Sequence, residues 1–97
     1  MANVLTFRKG AYLPGTSYGY TTSGSSQQSS AMSSTSSIVR VAVNQDTYVA
    51  VGDDPTATAN SLMMPTGSVE FFAAAAGQKI AFIQVSTPGR ITVTELA

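Results

Sequence analysis

Ninety-seven residues bound the chain to one domain plus extensions. Five basic and five acidic side chains cancel, and charged residues make up only 10 % of the chain against roughly a quarter in ordinary domains. This balance excludes the basic footprint of a nucleic-acid binder and an electrostatic hold on an anionic membrane, so neither is expected as a partner.

The first twenty residues are mixed. Val4, Leu5 and Phe7 form a short apolar patch that permits a strand, after which Lys9-Gly10, Pro14-Gly15 and Gly19 are expected to break regular structure. Tyr12, Tyr18 and Tyr20 are interleaved among these breakers. Tyrosine combines a large contact area with a polar tip, which suits a surface that meets another protein. The basic pair Arg8-Lys9 follows the apolar residues, the reverse of a signal peptide, and no apolar run approaches the about 20 residues needed to span a bilayer. The expectation is synthesis in the host cytoplasm with no export signal.

Residues 21 to 37, TTSGSSQQSSAMSSTSS, are low in complexity, and nothing in them is expected to build a core. Their hydroxyls compete for backbone hydrogen bonds and disfavour a helix. Two readings stand: a flexible linker, or an extended arm that orders against a neighbouring subunit. Either sets the domain division at 1–37 for an N-terminal arm and 38–97 for a β-module.

From Ile38 the pattern is strand after strand. IVRVAV (38–43) puts Val39, Val41 and Val43 on one face; Asn44-Gln45-Asp46 is turn chemistry; TYVAV (47–51) reads as the return strand of a hairpin. Gly52-Asp53-Asp54-Pro55 stops that strand. Residues 56–61 are a polar loop, Leu62-Met63-Met64 a short apolar segment, and Pro65-Thr66-Gly67 a turn. SVEFFA (68–73) fits a third strand; a helical turn capped by Gly77 is the alternative, disfavoured by its shortness. KIAFIQV (79–85) is a strong strand with Ile80 and Phe82 opposite Ile83 and Val85, and RITVTE (90–95) closes the chain with Ile91 and Val93 inward. Five or six short strands about ten residues apart predict an all-β fold, a small antiparallel β-sandwich or jelly-roll-like module with an extended N-terminal arm. A module of about sixty residues buries little surface per residue. With no cysteine to form disulfides, oligomerisation is the expected support, a dimer or trimer by closed symmetry.

The chain has no histidine and no cysteine. The usual general base, zinc ligands and thiol nucleophile are therefore missing, and an enzyme is not expected. Gly15-Thr16-Ser17-Tyr18-Gly19 matches G-x-S-x-G, but a nucleophile elbow needs a strand–turn–helix and a histidine. Asp53-Asp54 reads as a turn rather than an acid/base pair or cation loop. Neither a GxxxxGK nor a GxGxxG motif is present, and no cofactor or metal is expected. Met63-Met64 reads as core or interface packing, and Arg40, Lys79 and Arg90 as solvent-facing guards of strand edges.

The stretches IVRVAVNQDTYVAVGDDPTAT, SLMMPTGSVEFF and GQKIAFIQVSTPGRITVTELA resemble small β-rich virion proteins encoded near the major capsid genes of tailed bacteriophages. The opening MANVLTFRKGAYLPG also looks like the start of such proteins. The resemblance implies a non-enzymatic structural protein on the capsid surface, a cement or decoration protein whose partner is the major capsid protein. A tail, fibre or head–tail joining component is the alternative. A glycan- or receptor-binding module ranks below both, because the 53–61 loop carries no aromatic residue. Val4, Leu5, Phe7, Tyr12, Tyr18 and Tyr20 are the expected interface residues, chosen as the apolar and aromatic side chains of an otherwise coreless arm.

Overall fold

The computed structural model describes residues 14–33 and 37–96, which contain eight strands and no helix. They are β1 (Pro14–Thr21), β2 (Gln27–Gln28), β3 (Ile38–Val43), β4 (Thr47–Gly52), β5 (Leu62–Met64), β6 (Val69–Ala73), β7 (Lys79–Gln84) and β8 (Arg90–Leu96). Two four-stranded antiparallel sheets form, one in the order β1-β8-β3-β6 and the other β2-β7-β4-β5. The expected all-β sandwich is what the chain adopts.

The pairing follows one rule. β4 pairs with β5, β3 with β6, β2 with β7 and β1 with β8. This nesting describes a single long antiparallel ribbon, closed by the 53–61 loop and rolled so that successive segments fall in opposite sheets. Lateral contacts of β3 with β8 and of β4 with β7 complete the two sheets. The result is the strand order of a jelly roll.

This corrects the expected hairpin at 38–51. β3 and β4 are consecutive but lie in different sheets, β3 between β8 and β6 and β4 between β7 and β5. Period-two alternation fixes which face of a strand is buried, not which strand lies beside it. The segment 44–46 is a corner between sheets. The Asn44 Oδ1 accepts from the Arg90 N–H at 2.7 Å, and the Asp46 Oδ1 accepts from the Thr66 N–H at 2.7 Å and the Thr66 hydroxyl at 2.9 Å. The corner thus ties itself to the starts of β8 and β6 instead of closing a ladder.

The core lies between the sheets. Val39, Val41, Val43, Ile91 and Val93 from the first meet Val49, Met64, Ile80 and Phe82 from the second. β8 turns Ile91 and Val93 inward as the alternation predicts, and β3 and β7 each bury one of the two faces that the alternation separates, Val39, Val41 and Val43 in β3 and Ile80 and Phe82 in β7. Turns 65–68 and 75–78 close with i to i+3 hydrogen bonds, and each needs the positive φ of its glycine, +80° at Gly67 and +84° at Gly77. The strand reading of 68–73 holds, and Ala74 to Gly77 turn the chain rather than coil it.

The boundary at residue 37 is also corrected. β1 is an edge strand of the first sheet and β2 an edge strand of the second, so residues 14–33 belong to the sandwich. Pro14, Gly15 and Gly19 do not interrupt β1. An edge strand tolerates proline and glycine, and a shift of register between Pro14 and Ser17 absorbs the irregularity. A Cβ at Gly19 would collide with the guanidinium of Arg90, which crosses the strand at that point.

The Ser/Thr-rich segment contributes through its hydroxyls and its backbone. Ser29 donates its N–H to the Ile80 carbonyl, while its Oγ accepts from the Ile80 N–H. Thr22 is buried; its N–H donates to the Gly89 carbonyl and its Oγ1 accepts from the Gly89 N–H at 2.8 Å. Met32 enters the core, and beside it Ser33 donates its N–H and hydroxyl to Oε1 of the buried Glu95. Thr22→Val keeps the shape of the side chain and removes the acceptor. It should cost about 1–3 kcal/mol, read as a lower urea midpoint with an unchanged m-value.

Candidate protein interface

Which side chains face outward follows from register. Val39, Val41 and Val43 point into the core, so Ile38, Arg40 and Ala42 lie on the outer face of the first sheet. Their partners on β6 are Ala73, Phe71 and Val69. On the other side stand Leu96, Thr94 and Thr92 of β8, of which Leu96 and Thr94 are buried. The outer face of β6 and β3 is therefore a field of apolar and small side chains with one cation, Arg40. Phe71 is 52 % exposed and Val69 39 %, so nothing in the described structure covers them.

The second sheet carries a smaller outward row. Met63, Tyr48 and Ile83 stand opposite one another across β5, β4 and β7. Met63 is exposed while its neighbour Met64 is core. Ala81 also lies on this outer side but is fully buried, as is Ala57 of the 53–61 loop. That loop folds back onto β2: the Gln28 side-chain amide donates to Asp54 Oδ1 (2.8 Å) and to the Pro55 carbonyl (2.9 Å), and the Ala57 N–H donates to Ser26 Oγ (2.9 Å). Asp54 is thus a tether for the loop.

Of the residues expected to form the interface, Val4, Leu5, Phe7 and Tyr12 lie outside the described residues. Tyr18 and Tyr20 are on β1, opposite Val93 and Ile91, with both side chains on the inward side. Tyr20 packs against the core with its ring 5.3 Å from that of Phe82, and its Oη accepts from the Ser30 N–H. It links the two sheets. Phe71 and Val69, by contrast, are exposed and are expected from the alternation only as strand residues, and Leu62, also exposed, only as part of a short apolar segment. Their outward direction depends on pairings that no local pattern encodes.

Chemistry beyond surface contact is sparse. Ser17, the centre of the G-x-S-x-G match, sits in an edge strand with its Oγ 2.7 Å from the Thr94 hydroxyl. Among the described residues no three acidic side chains gather in a form that would hold a metal ion. No described helix is long and apolar enough to cross a membrane. No protein-family model matches the sequence, and no curated protein or solved structure matches it.

Proposed function

We propose that the chain is a non-enzymatic structural protein of a tailed-phage particle, a cement or decoration protein that bridges major capsid protein subunits on the capsid surface. The observation that carries this reading is the exposed apolar outer row of β6, Val69 and Phe71, beside the half-buried Ile38 and Ala42 of β3 on a small, charge-poor jelly roll. A contiguous apolar surface on a small domain marks a site for another protein. The resemblance of residues 38–97 to small virion proteins supplies the kind of particle.

The mechanism is mechanical. A shell under internal pressure strains the junctions between its subunits. A module that binds only the assembled lattice stabilises it by mass action, and many copies on one lattice reinforce one another through avidity. Val4, Leu5, Phe7 and Tyr12 of the N-terminal arm supply further contact with a neighbour.

The test is a mass-spectrometric count of this chain per purified virion, relative to the major capsid protein. Near-stoichiometric abundance is the expected result. A single ring of copies, as the symmetry of a junction dictates, would move the protein to the head–tail joint or tail. Absence from the particle would end the virion reading.

A further inference from the structure

Among the described residues both edges of the first sheet carry backbone that no strand pairs, but they are not alike. β1 is blunted by proline, two glycines and a register shift. β6, sequence VEFFA, has none of these, and its one inward-facing charge, Glu70, is its only edge protection. The ladder to β3 fixes which β6 groups are free. The Val43 N–H donates to Ser68 O at 3.2 Å and the Ala74 N–H to Ser37 O at 3.0 Å. Since direction alternates along an antiparallel strand, Ser68, Glu70, Phe72 and Ala74 turn their backbone groups toward β3. Val69, Phe71 and Ala73 turn theirs away from β3, to a side that no described strand occupies.

We infer that β6 pairs antiparallel with β6 of a second copy about a twofold axis at Phe71, joining two four-stranded sheets into one of eight strands. The pattern of free groups fits this register. Phe71 faces Phe71 of the second copy, and Val69 faces its Ala73, so every residue at the junction has its N–H and C=O directed at a partner. The three outward N–H groups of each copy then make six hydrogen bonds across the axis. Side-chain faces match as well, with exposed Phe71, Val69 and Ala73 forming one apolar strip on the outside. Charge is compatible: Glu70 faces Phe72 of the second copy rather than another Glu70, and each copy is neutral overall. A five-residue strand gives an interface below the about 1,200 Å² of standard complexes, so the pairing is reversible in solution and reinforced when copies are held close. It stands whether or not the protein belongs to a capsid.

The chain has no cysteine, which allows a direct test in the full-length protein. At the axis the two Cα atoms of residue 71 are about 5.5 Å apart, within the about 4.4–6.8 Å that a disulfide spans. Phe71→Cys should therefore form a disulfide dimer on mild oxidation. Val69→Cys and Ala73→Cys should not, because each is displaced from its own copy by four residues, about 13 Å. Sedimentation should show the unmodified protein moving from monomer to dimer with concentration. Phe71→Lys, which sets like charges face to face, and Ala73→Pro, which removes an outward N–H without touching the β3 ladder, should each weaken the dimer at least tenfold while circular dichroism stays unchanged. A protein that remains monomeric up to millimolar concentration overturns the inference. So does equal cross-linking at all three positions, a dimer indifferent to both substitutions, or growth into open fibres.

Discussion

A chain beginning at Ser37 should fail to fold, although it retains every segment with a strong strand pattern. Six strands remain in it, but the loss of β1 and β2 strips one side from both β8 and β7. The Ile80 N–H and C=O lose Ser29, and the corner at Gly89 loses Thr22. The core loses Met32 and, from its margin, Tyr20. Truncating a buried methionine costs about 2–5 kcal/mol by itself, close to the about 3–5 kcal/mol that a core of this size supplies in total. The backbone groups left unpaired in β7 and β8 add to that. Far-UV circular dichroism of the fragment should lack the β signature, and heating should show no cooperative transition. Adding a peptide of residues 14–33 should restore both in a concentration-dependent way. A cooperative transition in the fragment alone would mean that the sandwich is complete from Ile38 onward, and would restore residues 14–33 to the status of an arm.

The same region shows where reading the sequence succeeded and where it stopped. The strands at 38–43, 47–52, 69–73, 79–84 and 90–96 were legible because their apolar side chains alternate, and alternation is a local property. Residues 14–33 were not, because their place in the fold rests on backbone ladders and buried hydroxyls. Thr22 and Ser29 are as buried as many valines, yet composition counts them as polar. Beyond Tyr18 and Tyr20, Met32 is the one large apolar side chain the segment carries. The error at 38–51 has a different origin. Two alternating runs and a short polar connection fit a hairpin and a jelly-roll corner equally well, and the choice lies with β6 and β8, which arrive later in the chain. The interface suffered from the same non-locality. Phe71 and Phe72 are neighbours with opposite fates, and only the register against Arg40 and Val39 decides which of them faces outward.

Phenylalanine offers the sharpest measurement of that difference. Phe82 is fully buried at the centre of the core, paired to Gln27 on one side and Val49 on the other, with its ring tilted 36° against Tyr20. Phe82→Ala should cost about 3–5 kcal/mol, because it deletes a buried ring and leaves a cavity that two hydrogen-bonded sheets cannot close. For a domain of this size the loss lowers Tm by at least about 12 °C and brings the protein to the edge of unfolding at ambient temperature. Phe71→Ala removes the same side chain from the outer face and should change monomer stability by no more than about 0.5 kcal/mol, its effect falling on association instead. Tyr20 supplies an internal check on the core assignment. A double-mutant cycle between Tyr20→Leu and Phe82→Leu should return a coupling of about 0.5–1.5 kcal/mol, the contribution of a tilted aromatic pair beyond its buried area. Zero coupling with two large single costs would mean that the rings are buried separately and that β1 is held by its ladder alone. Equal stability losses for Phe82→Ala and Phe71→Ala would mean that the outer face of β6 is covered within the monomer. The apolar surface that carries the functional proposal would then not be available to a partner.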